Sequence, residues 1–252
     1  MRNCINRIKT ALGKANDTFK LEISPDVLTK NFKRTKEKTT FVTLNESEIL
    51  KIFKHDFSKT PYLDNARDFL VIACYVGQRI KDLLSITESN IKEIGGEEFI
   101  VLSQSKTGED VNIPIHPLVR ATLIKNGNKF PHSIAEQNLN KYVKEVCKEV
   151  GLNTVIYGSV KKRVLVGKEY KQRNVYGQYE KWELISSHDF RRSFCTNLYG
   201  DIHTADIMSI SGHQKESEFY KYLGVQQEKS AQRVSNFWKE TTEDKNPLLN
   251  VV

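Results

Sequence analysis

The 252-residue chain reads as a mainly α-helical domain with small antiparallel β-sheets, an α+β arrangement. Three observations predict it. Apolar residues recur at helical spacing along most of the chain, two segments alternate around polar turns, and Gly or Pro stands where helical runs should start or stop. Residues 4–16 place Ile5, Ile8 and Leu12 on one helical stripe, which is too little to bury an apolar face alone. This helix needs a partner. The following ISPDVLTKNFKRTKEKTT has no period and reads as a basic linker, so the main domain should begin near Thr40. Thr43-Leu44-Asn45-Glu46 has the form of a capping box ahead of Ile49, Leu50, Ile52 and Phe53. Pro61 opens a second apolar run, Phe69, Leu70, Ile72, Ala73, Tyr75 and Val76, which stops at Gly77 and should be central. Residues 99–102 and the alternation Val111, Ile113, Ile115 flank a polar stretch, predicting a hairpin with Thr107-Gly108 at its tip. Pro117 and Ser133-x-x-Glu136 start two more helices, the second carrying Leu139, Tyr142, Val143, Val146 and Val150. Residues 163–166 and 174–179 read as a second hairpin, basic and Tyr-rich. Helical spacing then returns with Phe190, Phe194 and Leu198, with residues 205–210 and with residues 231–238, and a loose tail follows from Thr241.

Charge narrows the partners. Lys and Arg exceed Asp and Glu by 39 to 31, for a net +8. Residues 1–40 account for +6 and residues 151–182 for +5, leaving the rest at −3. Clustered positive charge fits a polyanion, because counterions are released only where basic groups gather; solvated basic faces are the alternative. No run approaches the roughly 20 apolar residues needed to cross a bilayer, and MRNCINRIKT lacks the apolar core of a signal peptide, so membrane and secretory classes are not expected. Cys4, Cys74, Cys147 and Cys195 are far apart and read as reduced thiols of a cytosolic protein rather than a zinc site.

Several residues invite a chemical role. His188 and Arg191, three apart at a helix start, share one face while Phe190 and Phe194 turn to the core. Arg79 follows the Gly77 helix stop, which anchors its backbone and leaves its fork free for an oxyanion. Lys106 sits in the first hairpin turn, His213 follows Gly212 at a helix break, and Tyr222 comes nine residues later. Each also has a plain structural reading. Arg79 and Lys106 can be solvated surface charges, His188 a helix cap, His213 a core imidazole, and Tyr222 a packing residue, as is expected of Tyr220. His188, His203 and His213 lack an acidic partner at ligand spacing, so no metal site is expected.

Order and context connect these residues, because the chain from Thr43 to Trp238 resembles the tyrosine recombinase (phage integrase) family. GQRIKDLLSIT is similar to the family's G-x-R-[apolar]-x-[DE]-L-L box, which implies Arg79 as the first catalytic arginine and Asp82 as its acidic brace. SQSKTGEDVNIPIHP resembles the K-T-G turn and following strand, which puts the catalytic lysine at Lys106. ISSHDFRRSFCTNL resembles the H-x-x-R box, giving His188 and Arg191, and SISGHQKESEFYKYLGV resembles the G-H box with its nucleophile nine residues on, giving His213 and Tyr222. The G-Q-R, S-S-H and G-H-x-x-E variants look most like integrases of Bacteroides-type conjugative or mobilisable transposons.

The resemblance implies the fold of a tyrosine recombinase catalytic domain. It also implies an enzyme that breaks and rejoins DNA through a 3′-phosphotyrosyl link, with no metal, ATP or other cofactor. Arg79, Arg191 and His213 would bind the charged oxygens, Lys106 would protonate the leaving 5′-oxygen, and His188 would act as base for the phenol. Expected domains are residues 1–40 (the last helix of a truncated core-binding domain plus basic linker), 41–240 (catalytic domain) and 241–252 (tail). The basic insertion at 158–182 is expected along the DNA backbone through Arg163, Lys171 and Arg173, or else to be a solubilising edge hairpin. Expected partners are double-stranded DNA, further copies in a homo-tetramer through the helix ending in Val234, Phe237 and Trp238, and an accessory DNA-bending or excision factor. Location would be the bacterial cytoplasm, with the nucleoid. A catalytically impaired DNA-binding fragment and a type IB topoisomerase-like activity are the alternatives to integration or excision of a mobile element.

Overall fold

A computed structural model describes residues 2–20, 41–106, 108–167, 169–223 and 234–236. The chain divides into two compact units, Met1–Thr39 and Thr40–Val252. In the first, α1 (Arg2–Phe19) extends beyond the anticipated 4–16, and Ile8 on its apolar stripe is 49% exposed.

The second unit opens with residues 41–45 outside any helix, and α2 (Glu46–Lys54) then begins. Its cap is Asn45, not Thr43. Asn45 Oδ1 accepts from Glu48 N and Glu48 Oε2 accepts from Asn45 N, both at 2.9 Å. The start is displaced because Leu44 is buried and its N–H donates to Ser193 Oγ at 2.8 Å, which ties this stretch to a later helix. α3 (Pro61–Val76) is buried on most sides, as its composition predicts, and even Arg67 and Asp68 lie inside it. Arg67 pairs with Asp68 at 2.7 Å and donates to the Phe53 and His55 carbonyls, while Lys125 closes on Asp68 at 2.8 Å; these contacts offset the desolvation of the charges.

After α4 (Ile80–Leu84) comes a three-stranded antiparallel sheet, β1 (Ile91–Ile94), β2 (Glu97–Ser103) and β3 (Asp110–Pro114), in the order 1-2-3. The anticipated hairpin is β2–β3; β1 is an addition. With only four residues and a mostly exposed face it leaves no alternation to read, although Gly95-Gly96, both at positive φ, form the two-residue turn that pairs it with β2. α5 (Pro117–Lys125) starts as expected, but α6 (Glu136–Glu149) does not use the Ser133 box. Ala135 is the cap, because Ile134 packs on the core and the His132 carbonyl accepts from Asn65, keeping the chain extended until then.

β4 (Val155–Val166) and β5 (Glu169–Glu180) form a separate antiparallel ribbon, longer than the anticipated strands at 163–166 and 174–179, with twelve cross-strand pairs from Val155↔Glu180 to Val166↔Glu169. Only its base is buried. A Cβ on Gly158 would lie 2.8 Å from Leu184, and Tyr179 is buried there, whereas residues 161–165 and 169–174 are exposed on both faces and show no alternation. α7 (Lys181–Leu184), α8 (Ser187–Leu198), α9 (Thr204–Ser211) and α10 (Glu216–Tyr222) complete the described elements. Of the helix expected at 231–238, Val234–Asn236 is helical; Phe237, Trp238 and the tail lie outside the described residues.

A large core surrounds α3, and a small second cluster of Phe194, Cys195, Ile207, Phe219 and Leu223 joins α8, α9 and α10. A helix of seven residues is marginal alone, so α10 depends on this cluster. Full burial of Phe219 contributes roughly 2 kcal/mol. Tyr220, expected to pack, stands edge-on to the Tyr199 ring with centroids 6.1 Å apart and is 47% exposed, while its neighbour Phe219 is fully buried.

Candidate active site

Two glycines build the floor of the site. α3 ends at Gly77 with φ +67° and α9 at Gly212 with φ +64°, so at each point the chain turns left-handed and delivers the next residues sideways. Neither position has room for a side chain. A Cβ on Gly77 would lie 2.4 Å from the Phe194 ring and one on Gly212 1.9 Å from Gln104 Oε1. The turns deliver Arg79 and His213.

Arg79 is held from several sides. Its Nη1 donates to Gln104 Oε1 at 3.1 Å, its Nη2 to the Gly212 carbonyl at 3.3 Å, and Asp82 Oδ2 lies 3.9 Å from Nη1. Asp82 is buried, with Oδ1 accepting from Ser105 N and Oδ2 without a hydrogen-bond partner among the described residues, so it braces both Arg79 and the approach to Lys106. Gln104 is itself fully buried, and its amide donates to Gln78 Oε1 at 2.8 Å and the Ile210 carbonyl at 3.2 Å.

α8 supplies the opposite wall. Asp189 Oδ2 accepts from Ser186 N at 2.9 Å and Ser186 Oγ at 2.7 Å, which fixes the helix start and places His188 and Arg191 on the cleft face. Arg191 is 5% exposed, and its Nη1 donates to the Gly77 carbonyl at 3.4 Å. Burial lowers its pKa, as does neighbouring Arg79, while Tyr222 raises it.

Tyr222 ends α10. Its hydroxyl is 3.2 Å from His188 Nδ1 and 3.4 Å from the His188 carbonyl, and its ring stands edge-on to His188 with centroids 5.0 Å apart. Arg192 secures the helix end: Nε donates to the Tyr222 carbonyl at 3.0 Å, Nη1 to Asp189 Oδ1 at 3.0 Å, and the guanidinium lies 4.9 Å from the Tyr222 ring centre. Burial pushes the Tyr222 phenol up to about 12, against the pull of Arg191 and Arg192. At neutral pH it is therefore protonated and needs a base to become a nucleophile. Burial, together with Arg192 and Arg191, lowers the His188 pKa, which leaves a neutral imidazole able to accept that proton. His213 is pushed down to about 4 by burial and by Arg191, Arg79 and His188.

Arg79, Lys106, His188, Arg191, His213 and Tyr222 line one cleft of about 940 Å³, with Asp82 directly beneath Arg79. They come from four stretches far apart in the chain. Two guanidinium forks, an exposed ammonium, two imidazoles and a phenol around one space can hold an anionic tetrahedral group and attack it. The ribbon residues are elsewhere. Register puts Lys171 and Arg173 on one face, opposite Val164 and Lys162, and Arg163 on the other, opposite Gln172. The three therefore stand on both faces of the ribbon. Arg163 lies 5.0 Å from the Tyr170 ring centre and Lys171 pairs with Glu169 at 3.0 Å. Gln78, Gln104, Ser211 and Arg192 were missed in the sequence; the Gly-Gln-Arg triplet and the Arg-Arg doublet hint only at Gln78 and Arg192.

The fold matches solved structures of DNA recombinases. Lambda integrase, as a dimer bound to a COC′ core site, superposes with TM-score 0.56 at 18% identity over 88% of this chain and 58% of that one. XerH site-specific recombinase bound to palindromic difH gives 0.55 at 14% identity, over 82% of this chain and 55% of that one. The Tn1549 transposon integrase in complex with transposon right end DNA gives 0.52 at 15% identity, over 95% and 78%. This chain thus spans less than two thirds of the lambda integrase and XerH chains. No curated protein sequence matches it. The family model described as Phage integrase family matches residues 42–229, and the chain belongs to that family.

Proposed function

We propose that this chain is the catalytic part of a site-specific DNA recombinase that cleaves and rejoins DNA through a 3′-phosphotyrosyl intermediate, serving integration or excision of a mobile element. One observation carries the proposal: the Tyr222 hydroxyl rests 3.2 Å from an imidazole base, in the cleft lined by Arg79 and Arg191. Tyr222 attacks the scissile phosphorus and the 5′-oxygen leaves, so the phosphodiester energy is kept in the tyrosyl ester. His188 accepts the phenolic proton, Lys106 donates one to the 5′-oxygen, and Arg79, Arg191 and His213 bind the non-bridging oxygens. Asp82 positions Arg79.

Residues 41–240 are the catalytic domain on this account, with α1 the last helix of a core-binding domain, residues up to 40 a basic linker and 241–252 a tail. Duplex DNA is the substrate, and the charge of the ribbon supports phosphate contacts by Arg163 from one face and Lys171 and Arg173 from the other. The Bacteroides-type transposon flavour of the motifs, a homo-tetramer joined through the C-terminal helix, an accessory DNA-bending or excision factor and a place in the bacterial cytoplasm with the nucleoid belong to the same proposal.

Covalent trapping tests it. A nicked suicide duplex pool with a randomised core should yield a protein–DNA adduct stable to denaturant, lost in Tyr222→Phe. No adduct from the wild type would leave a DNA-binding protein without strand-transfer activity, and an adduct that survives in Tyr222→Phe would move the nucleophile elsewhere.

A further inference from the structure

Ser211, the last residue of α9, is fully buried, and its hydroxyl oxygen lies 2.8 Å from His213 Nδ1. The same hydroxyl donates to the Ile207 carbonyl one turn back, at 2.6 Å. A hydroxyl has one hydrogen to give. With that hydrogen on the Ile207 carbonyl, and with the Met208 carbonyl at 3.5 Å and the Cys195 thiol as its other neighbours, Ser211 Oγ is left to accept from the imidazole, which puts the proton of a neutral His213 on Nδ1. The left-handed turn at Gly212, with His213 N–H closing onto the Met208 carbonyl at 3.0 Å, folds the ring back over Ser211 and enforces this pairing. The nitrogen left for the cleft, Nε2, is then bare.

A bare Nε2 cannot donate to a phosphate oxygen. We propose that Ser211 is a positioning residue that fixes the proton of His213 on Nδ1, so that His213 meets an anion in the cleft only as an imidazolium, by taking up one proton at Nε2. Ser211 Oγ keeps accepting from Nδ1–H in that charged form. The groups facing the ring explain why the proton arrives with the anion. Arg191, Arg79 and His188 oppose a further positive charge, the Phe219 ring backs the imidazole at 5.5 Å, and the Tyr222 ring stands at 4.9 Å. Burial and these charges hold His213 down to about 4. An anion between Arg79 and Arg191 cancels their repulsion and draws the proton in. The inference rests on the phosphodiester reading of the cleft for its purpose, but the tautomer it assigns does not.

Long-range proton–nitrogen NMR of the full chain with ¹⁵N-labelled histidine tests it, the His213 signals being identified by their loss in His213→Gln. Near neutral pH the wild type should show Nδ1 protonated and Nε2 bare. Ser211→Ala should move the proton to Nε2, and Ser211→Thr, which keeps the hydroxyl, should restore the wild-type pattern. Inorganic phosphate added at mildly acidic pH should protonate both nitrogens in the wild type. A bare Nδ1 in the wild type, or an unchanged pattern in Ser211→Ala, overturns the role of Ser211. The assigned tautomer with no response to phosphate overturns the proton uptake. Failure of the strand-transfer proposal shows separately, as absence of the tyrosyl adduct while the tautomer pattern stands.

Discussion

Arginine is used in opposite ways on the cleft floor and on the β4–β5 ribbon. Arg191 is 5% exposed and, like Arg79, donates to a backbone carbonyl fixed by a left-handed glycine; Arg163 and Arg173 stand in solvent on a two-stranded ribbon with no core beyond its base. On the proposed function both regions meet phosphate, but only the floor has its donors oriented before the ligand arrives. Folding has already met the cost of desolvating and aligning the floor cations, so their attraction is directional and short-ranged. That of the ribbon is long-ranged and screened by salt. Rate should depend on the first and affinity on the second.

The largest effect expected is on rate. Arg191→Ala or Arg79→Ala should slow single-turnover adduct formation by at least about a hundredfold, and Lys in either place should rescue poorly because it lacks the fork. The ribbon triple Arg163→Ala, Lys171→Ala, Arg173→Ala should leave that rate unchanged at saturating DNA. An equal loss in both would erase the distinction.

Backbone strain sharpens it next. Gly77 and the ribbon-tip Gly167 share φ near +67°, at +67° and +66°, yet a Cβ on Gly167 has nothing within 4 Å. Gly167→Ala should cost only the left-handed penalty, about 1 kcal/mol. Gly77→Ala adds overlap with Phe194 and should cost about 3 kcal/mol by urea unfolding.

Acid should act on the floor before the ribbon. The folded His213 pKa, about 4, lies below its ordinary 6.5, so between those values the unfolded chain binds more protons and stability falls as pH falls. His188, also lowered, acts in the same direction, while Asp189, raised by burial, opposes both. His213→Gln should flatten the dependence of Tm on pH between about 6.5 and 4, measured against the wild type. A slope unchanged by His213→Gln would place the acid sensitivity elsewhere.

The smallest effect concerns the two ribbon faces. Lys171→Ala with Arg173→Ala should reduce the salt dependence of DNA binding by about two phosphate contacts, and Arg163→Ala by about one. If DNA lies on one face only, just one of these variants will change the slope.

The parts legible in sequence were those fixed by neighbours along the chain. Gly77 followed by Arg79, and Gly212 followed by His213, announce helix stops that aim a side chain, and the apolar periodicity of α3 announces its central place. The Thr43 and Ser133 boxes misled because tertiary contacts, Leu44 N–H on Ser193 and Ile134 on the core, keep the chain out of helix past the local signal. The ribbon was half seen, since strands exposed on both faces need no alternation. Gln104 was invisible for a different reason: its partners are Gln78, Arg79 and Ile210, and a buried amide gives no pattern at that distance. Ser211 carries no sequence signal, because its link to the His213 ring exists only once the Gly212 turn is folded.

On the proposed function six separated side chains converge on one phosphate. A crystal structure of the chain with a nicked duplex and orthovanadate tests it most directly. Vanadium bonded to the Tyr222 oxygen, with Arg79 and Arg191 on its equatorial oxygens and Lys106 beside the 5′-oxygen, is the result expected. Vanadate held by other residues, or bonded to Tyr220 while Tyr222 stays against His188, would contradict it.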